Sequence, residues 1–168
     1  MGASVDLKRY IDAQNGVDGP GTPYRQALLE IQHGSKRSCW IWYVFPQFLD
    51  PARASSTNNQ TYQLRSRAEA VAFLQDETLG PRFHAIAEAV AKALESAEVN
   101  KVMGGSVDAK KLHQSVTCFH LAAVSAELHD TAALLSLILE RLQAGKFEFE
   151  DPVMKAKWDA LAETSGSS

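Results

Sequence analysis

Apolar side chains recur at helical spacing through most of this 168-residue chain. Leu7, Tyr10 and Ile11 follow the i, i+3, i+4 pattern, and the same spacing returns across 66–94 and 108–162. No long alternating run and no strand–helix–strand rhythm indicates a sheet. A hydrophobic content of 45% suits one compact core. The sequence therefore predicts an all-α fold, a compact single-domain bundle of about seven helices.

Glycine, proline and capping residues divide the periodic segments. Helices are predicted over 5–14, 108–126, 130–143 and 152–162. Thr22 is the expected N-cap of a helix with Pro23 at its first position. Ser66 and Glu69 have the spacing of a capping box that opens another helix. The segment 130–143 is apolar nearly all round, so we expect it to be the central helix.

The predicted domain covers 1–163, and the polar end, 164–168, is expected to be a disordered tail. Within the domain, residues 50–61 (DPARASSTNNQT) are small and polar, which is typical of an exposed loop. We expect a monomer or a weak homodimer.

One segment departs from the helical rhythm. Residues 36–47 read KRSCWIWYVFPQ and place two tryptophans, a tyrosine and a phenylalanine within six residues. The aromatic and β-branched content is typical of a buried strand over 38–45. The flanking Lys36 and Arg37, and the lack of a partner strand, favour a buried helix over 36–45 that Pro46 terminates. The helix is the preferred prediction and the strand its alternative.

Charge and composition exclude several classes of protein. The net charge is −3 and the isoelectric point about 5.9, without the basic footprint of a nucleic-acid-binding domain. No run of 18 apolar residues appears, and MGASVDLKRY has no apolar h-region. We therefore expect a cytoplasmic protein with no nucleic-acid partner and no membrane segment. Cys39 and Cys118 are expected to be reduced thiols.

The titratable residues form no recognisable metal or acid–base motif. His113 and His120 share a predicted helix but stand roughly 10 Å apart along its axis, too far for one ion. No metal and no cofactor are expected. The carboxylates Asp12, Glu30 and Glu88 lie on helix faces that are expected to be solvated. Whether the protein is an enzyme stays open.

A second segment, 104–117, could meet a ligand. A Gly-Gly-Ser turn precedes the predicted helix, where free backbone N–H groups can hold an anion. Asp108, Lys111 and Ser115 fall on one face of that helix, and Lys110 and Lys111 oppose its dipole. Two interpretations remain, a ligand site or an ordinary capped turn with solvated lysines.

Several stretches together resemble a known family. KRSCWIWYVFPQ resembles the pattern K-x-S-x-W-x-W-[FY]-[IV]-F-P-Q of the family named domain of unknown function 1810. Further segments resemble its other elements: RYIDAQ, YRQALLEIQHGSK, EAVAFLQDETLGPRF and DAKKLHQSVTCF. The resemblance implies a small, helical, single-domain protein with no assigned activity. Cys39 departs from an expected histidine and Gln114 from a usual serine, so a catalytic role of that histidine would be in doubt here.

The resemblance selects polar residues that a core does not need. Carried over by position, the expected ligand-binding residues are Gln14, Lys36, Ser38, Trp40, Trp42, Gln47, Asp108, Lys111, Ser115 and Thr117. Aromatic walls with convergent polar groups are typical of a small-molecule pocket. The first hypothesis is binding of an anionic small molecule, such as a nucleotide or phosphorylated metabolite, with hydrolysis or transfer left open. Lys36, Trp42, Gln47 and Lys111 would line one cleft. The alternative is a non-enzymatic interaction module without a pocket.

Overall fold

The computed structural model describes residues 5–17 and 19–165. Those residues form ten α-helices and one 3₁₀ helix, and no strand beyond an isolated bridge between Phe48 and Leu64. The helices are α1 Lys8–Gln14, α2 Tyr24–Gln32, α3 Ile41–Val44, the 3₁₀ helix Pro51–Arg53, α4 Thr57–Tyr62, α5 Arg67–Gln75, α6 Leu79–Ala93, α7 Val99–Val102, α8 Ser106–Ser125, α9 His129–Ala144 and α10 Pro152–Ser165. The predicted all-α class is confirmed, with more and shorter helices than expected.

Helix α8 is the centre of the bundle. It packs against α5, α7, α9 and α10, and every residue from Lys111 to Phe119 is buried. The prediction that 130–143 is central is wrong, because α9 buries a single stripe that includes Leu135 and Leu139 and leaves Leu137 exposed. High apolar content did not identify the centre, since the polar residues of α8 are buried as well.

Helix starts follow local capping only in part. The Ser66 hydroxyl accepts from the Glu69 backbone N–H at 3.0 Å, which confirms the first half of the predicted capping box. Thr22 does not cap α2, which begins at Tyr24 without a side-chain cap. The carbonyl oxygen of Thr22 instead accepts from the hydroxyl of Tyr43.

The segment 50–61 is not the loop that its composition predicts. Asp50 caps the 3₁₀ helix through the Ala52 N–H, and Ser56 caps α4 through the Asn59 N–H. These small polar residues cap the N-termini of two short helices that lie close together in the sequence. Buried Tyr62 anchors the end of α4 to the core.

The aromatic segment forms one helical turn. The helix predicted over 36–45 is restricted to Ile41–Val44, and the alternative strand is absent from these described residues. Residues before it are non-helical, and the Lys36 N–H donates to the Val102 carbonyl at 2.7 Å rather than within a helix. Gly104 permits this close approach: its φ is +75°, and a Cβ there would stand 2.7 Å from the Lys36 carbonyl oxygen.

The aromatic side chains of the segment divide between core and cleft. Trp40 is fully buried, and the Phe45 ring meets Phe83, which packs on Phe119 at 4.6 Å between ring centroids. Trp42 is partly buried and faces α8. Of the predicted tail, residues 164–165 continue α10, and 166–168 lie outside the described residues. In the described part of the chain, no helix combines the length and apolarity needed to cross a bilayer.

Candidate functional site

Glu30 organises the start of the aromatic segment. Its carboxylate accepts from the backbone N–H groups of Arg37 and Ser38 at 2.7 and 2.9 Å, from the Ser38 hydroxyl at 2.6 Å and from the Trp40 indole at 3.0 Å. Gln26 donates to it as well, at 3.1 Å. The expectation that Glu30 is solvated is wrong, because it is only 5% exposed. Burial raises the pKa of the carboxyl, but these hydrogen bonds outweigh burial and lower the pKa to about 2.

Lys36 is a paired lysine. Its ammonium lies 2.7 Å from the Asp108 carboxylate and 5.0 Å from the centroid of the Trp40 ring, and it donates to the Ser38 carbonyl. These contacts join the 36–40 segment to the first turn of α8. Lys36 does not line the cleft described below, contrary to the expectation, because Asp108 holds its ammonium elsewhere.

Lys111 is an unpaired lysine at the same interface. Its ammonium lies 4.9 Å from the centroid of the Trp42 ring, and the side chain belongs to a residue only 8% exposed. Among the residues that the structure describes, nothing forms a hydrogen bond or ion pair with it. Burial lowers the pKa of the ammonium; the Asp108 charge opposes this effect, while the charges of Arg53 and Lys36 add to it.

A cleft opens beside Trp42 and Lys111, and we call it the Trp42–Lys111 cleft. Its polar lining residues are Gln47, Asp50, Asn58, Asn59, Gln63 and Lys111. The free volume of the cleft is about 10 Å³, which is room for one water molecule. Counted with the open solvent at its mouth, the depression spans about 300 Å³. The free volume is far below that of a typical small-molecule site, so a larger ligand would lie mainly in the mouth.

Three buried polar atoms in or behind the cleft have no hydrogen-bond partner among the described residues. They are Trp42 Nε1, Gln47 Oε1 and Gln114 Oε1, and Ser115 Oγ on α8 is likewise buried without a partner. Trp42 and Gln47 line the cleft, and Gln114 reaches it through Asp50, to whose carboxylate it donates at 2.9 Å. Buried polar groups are nearly always paired, so a cluster of exceptions indicates a place for a polar molecule.

The carboxylate of Asp50 is part of the acceptor side of the cleft. It is buried and accepts from Gln114 and from the Ala52 N–H at 3.0 Å. Burial raises the pKa of this carboxyl, but the two hydrogen bonds outweigh burial, and together with the charges of Lys110 and Arg53 they lower it below its ordinary value. Asp50 is therefore a carboxylate at neutral pH.

The other residues named from the sequence hold the frame rather than the cleft. Ser38 and Trp40 bind Glu30, and Gln14 donates to the Tyr43 carbonyl at 2.9 Å behind α3. Thr117 accepts from the Asp151 N–H at 2.9 Å and so ties α8 to the start of α10. Three of the named residues thus line the cleft: Trp42, Gln47 and Lys111.

Sequence reasoning missed two acidic residues, and one of them left a signal. Glu30 follows Ala27 by three residues and precedes Ile31, so it falls on the buried stripe of α2. A carboxylate on an apolar stripe needs hydrogen-bond donors from within the protein, which indicates that other segments pack around it and donate to it. Asp50 left no comparable signal, because its partner Gln114 is 64 residues away.

The cysteines and histidines add no second site. Cys39 is exposed, and Cys118 is buried, with burial raising the pKa of its thiol well above the ordinary value. Within the described ranges no group of three or more ligating side chains could hold a metal ion.

Comparisons with known proteins show the family of the chain. A family model described as "Protein of unknown function (DUF1810)" matches residues 4–147. A solved structure, the conserved hypothetical protein Rv1873 from Mycobacterium tuberculosis, is similar with a TM-score of 0.67 and 32% sequence identity. That similarity covers 81% of this chain and 86% of the other. A comparison with curated proteins gives no match.

Proposed function

The chain belongs to the DUF1810 family, whose function is unknown, and from that premise we propose that it binds an anionic small molecule in the Trp42–Lys111 cleft. The observation that carries the proposal is the unpaired ammonium of Lys111 over the indole of Trp42. The ligand is an anion of metabolite size, carrying a phosphate or a carboxylate.

The comparison of the two lysines supports this proposal. Lys36 and Lys111 are equally buried and each lies over a tryptophan, but only Lys36 has a carboxylate partner. A largely buried cation without protein acceptors gives up part of its hydration and gains no hydrogen bond in return. An anion that enters the cleft would satisfy them with charge-assisted hydrogen bonds.

Two of the surrounding charges favour an anion. The positive charges of Arg53 and Lys36 disfavour the protonated form of Lys111, and a negative ligand would offset this repulsion. The Asp108 carboxylate, whose charge has the larger effect, already acts in the opposite direction. Ligand binding should therefore raise the pKa of Lys111 towards its ordinary value.

A screen with two matched variants tests the proposal. Thermal shifts are measured with nucleotides, ADP-ribose-type compounds, sugar phosphates and small carboxylates. An anion at 100 times its dissociation constant adds about 2.7 kcal/mol, which raises Tm by roughly 5–10 °C in a chain of this size. Lys111→Met keeps the apolar stem on Trp42 and should abolish the shift. Lys110→Met removes the same charge from the neighbouring exposed residue and should preserve it.

One observation favours a second candidate, a non-enzymatic interaction module. The free volume of the cleft is only about 10 Å³, so a bound metabolite must lie mainly in the open mouth. If no anion in the panel shifts Tm, the anion proposal is abandoned. The small volume of the cleft then favours the interaction module.

A further inference from the structure

The unpartnered atoms of the cleft divide into donors and acceptors, and we infer from this division that the bound anion also carries a neutral hydrogen-bond donor, an amide N–H or a hydroxyl. The inference rests on the proposed function, because it names the ligand class of the same cleft. It predicts a two-ended ligand, whereas the proposed function requires only a negative charge.

The first group of atoms consists of donors. Lys111 brings three N–H groups and Trp42 Nε1 brings one, and neither has an acceptor among the described residues. Oxygen atoms of a carboxylate or phosphate accept hydrogen bonds without donating any, so they match this side of the cleft. A simple inorganic anion would satisfy these donors completely.

The second group consists of acceptors. Gln47 Oε1 is buried and receives no hydrogen bond from the described residues. Gln114 Oε1, behind Asp50, is also buried and receives none. The Asp50 carboxylate adds two further acceptor atoms, which are partly used by Gln114 and the Ala52 N–H. A fully deprotonated anion such as a carboxylate cannot satisfy Gln47, because it has no N–H or O–H to donate to the amide oxygen. A ligand that fills both groups therefore has an N–H or O–H donor at a distance from its anionic end.

The charge of Asp50 does not require a cationic donor. Its carboxylate already lies 3.9 Å from the Arg53 guanidinium and receives the hydrogen bond of Gln114. A neutral amide or hydroxyl is therefore sufficient. Amide-bearing acids, ureido acids and hydroxy acids belong to the predicted class.

Two pairs of probes separate the donor from the charge. Oxamate carries an NH₂ group where pyruvate carries a methyl group. Succinamate and 4-oxopentanoate form a longer pair, in which succinamate carries the NH₂ group and 4-oxopentanoate the methyl group. Binding is followed by ¹H–¹⁵N spectra of the indole groups, since the chain has three tryptophans. Trp42→Phe assigns the signal of Trp42. Titration of that signal gives the dissociation constant of each probe.

The amide of at least one pair should bind about tenfold more tightly than its methyl ketone, because the ketone leaves the buried Gln47 oxygen unpaired. Gln47→Met should abolish the preference by removing that oxygen at similar volume. Gln63→Met makes the same change elsewhere on the cleft lining and should keep the preference.

Equal binding of both members of each pair, or a preference that survives Gln47→Met, overturns the inference. Anions of the screen would still bind in a manner that depends on Lys111, so the proposed function would stand. The inference is also overturned if anions of the screen bind and neither amide probe does. Absence of any indole shift, with every anion and in every variant, overturns both.

Discussion

Replacement of Glu30 by glutamine tests how the aromatic segment is held. Glu30→Gln keeps the side-chain volume and one carbonyl oxygen, but it removes the charge. It also replaces one acceptor oxygen with an NH₂ group. In the position of Oε2, this NH₂ group would face the hydroxyl of Ser38 and the amide NH₂ of Gln26, which both donate to Oε2 in the wild type. The three bonds to Oε1, from Arg37, Ser38 and Trp40, survive only as neutral hydrogen bonds.

The magnitude follows from the pKa of the carboxyl. A decrease from 4.5 to about 2 means that the fold prefers the charged form of Glu30 by roughly 3 kcal/mol, at about 1.4 kcal/mol per pKa unit. Glu30→Gln should lower the free energy of unfolding at pH 7 by this order, and Tm by roughly 6–12 °C. Glu88→Gln is the matched control, because Glu88 is exposed.

The pH dependence has a definite sign. Because the pKa of Glu30 is lower in the folded state, its contribution is complete above its unfolded value of 4.5 and is lost as the pH falls towards 2. Urea unfolding of both proteins, followed by tryptophan fluorescence at pH 7, 5, 4 and 3, measures the difference in free energy. That difference should narrow below pH 4.5. A difference below about 0.5 kcal/mol at pH 7, or one that is constant down to pH 3, would refute the role of Glu30.

Three further predictions concern Lys36 and Gly104 near the aromatic segment and His120 in α8. Lys36→Met leaves the Asp108 carboxylate unpaired and should lower the free energy of unfolding in urea by about 2 kcal/mol. This is less than the roughly 3–5 kcal/mol of a fully buried pair, because Asp108 is partly exposed. An unchanged free energy of unfolding would contradict the pairing. Gly104→Ala places a Cβ against the Lys36 carbonyl at a φ of +75° and should lower stability by more than about 1 kcal/mol, whereas Gly21→Ala, with a similar φ and open space, should cost less. Burial lowers the pKa of the His120 imidazole, and the charge of Glu150 opposes this effect. The NMR titration midpoint of His120 should therefore lie below 6.5, and the contribution of His120 to stability should fall as the pH drops through that midpoint. A midpoint above 6.5 would contradict this prediction.

The helical class could be predicted because apolar spacing is a local property. The non-helical conformation of residues 36–40 could not be predicted, because the contacts that hold them come from Glu30 in α2 and Val102 in α7. The loop predicted over 50–61 failed for a related reason. Short polar helices have a weak periodic signal, and α4 forms because Ser56 caps it and Tyr62 is buried.

The cleft could be predicted only in part. Trp42, Gln47 and Lys111 are among the residues that the sequence singled out, and all three line it. The sequence does not distinguish Lys36 from Lys111, since both are lysines in motif segments. The distinction is made by Asp108, which lies close enough to pair with Lys36 and leaves Lys111 without a partner.

Stability and binding measured together in Lys111→Met test the central claim most directly. Removal of the unpaired, partly desolvated ammonium relieves part of the roughly 1–3 kcal/mol that a buried unsatisfied donor costs and loses a cation–π contact of about 0.5–2 kcal/mol. The variant should therefore unfold within a few degrees of the wild-type Tm. Calorimetric titration with an anion that the wild type binds should show affinity weakened at least tenfold, as expected for the loss of a charged hydrogen bond. Equal affinity in Lys111→Met would contradict the claim that Lys111 holds the anion.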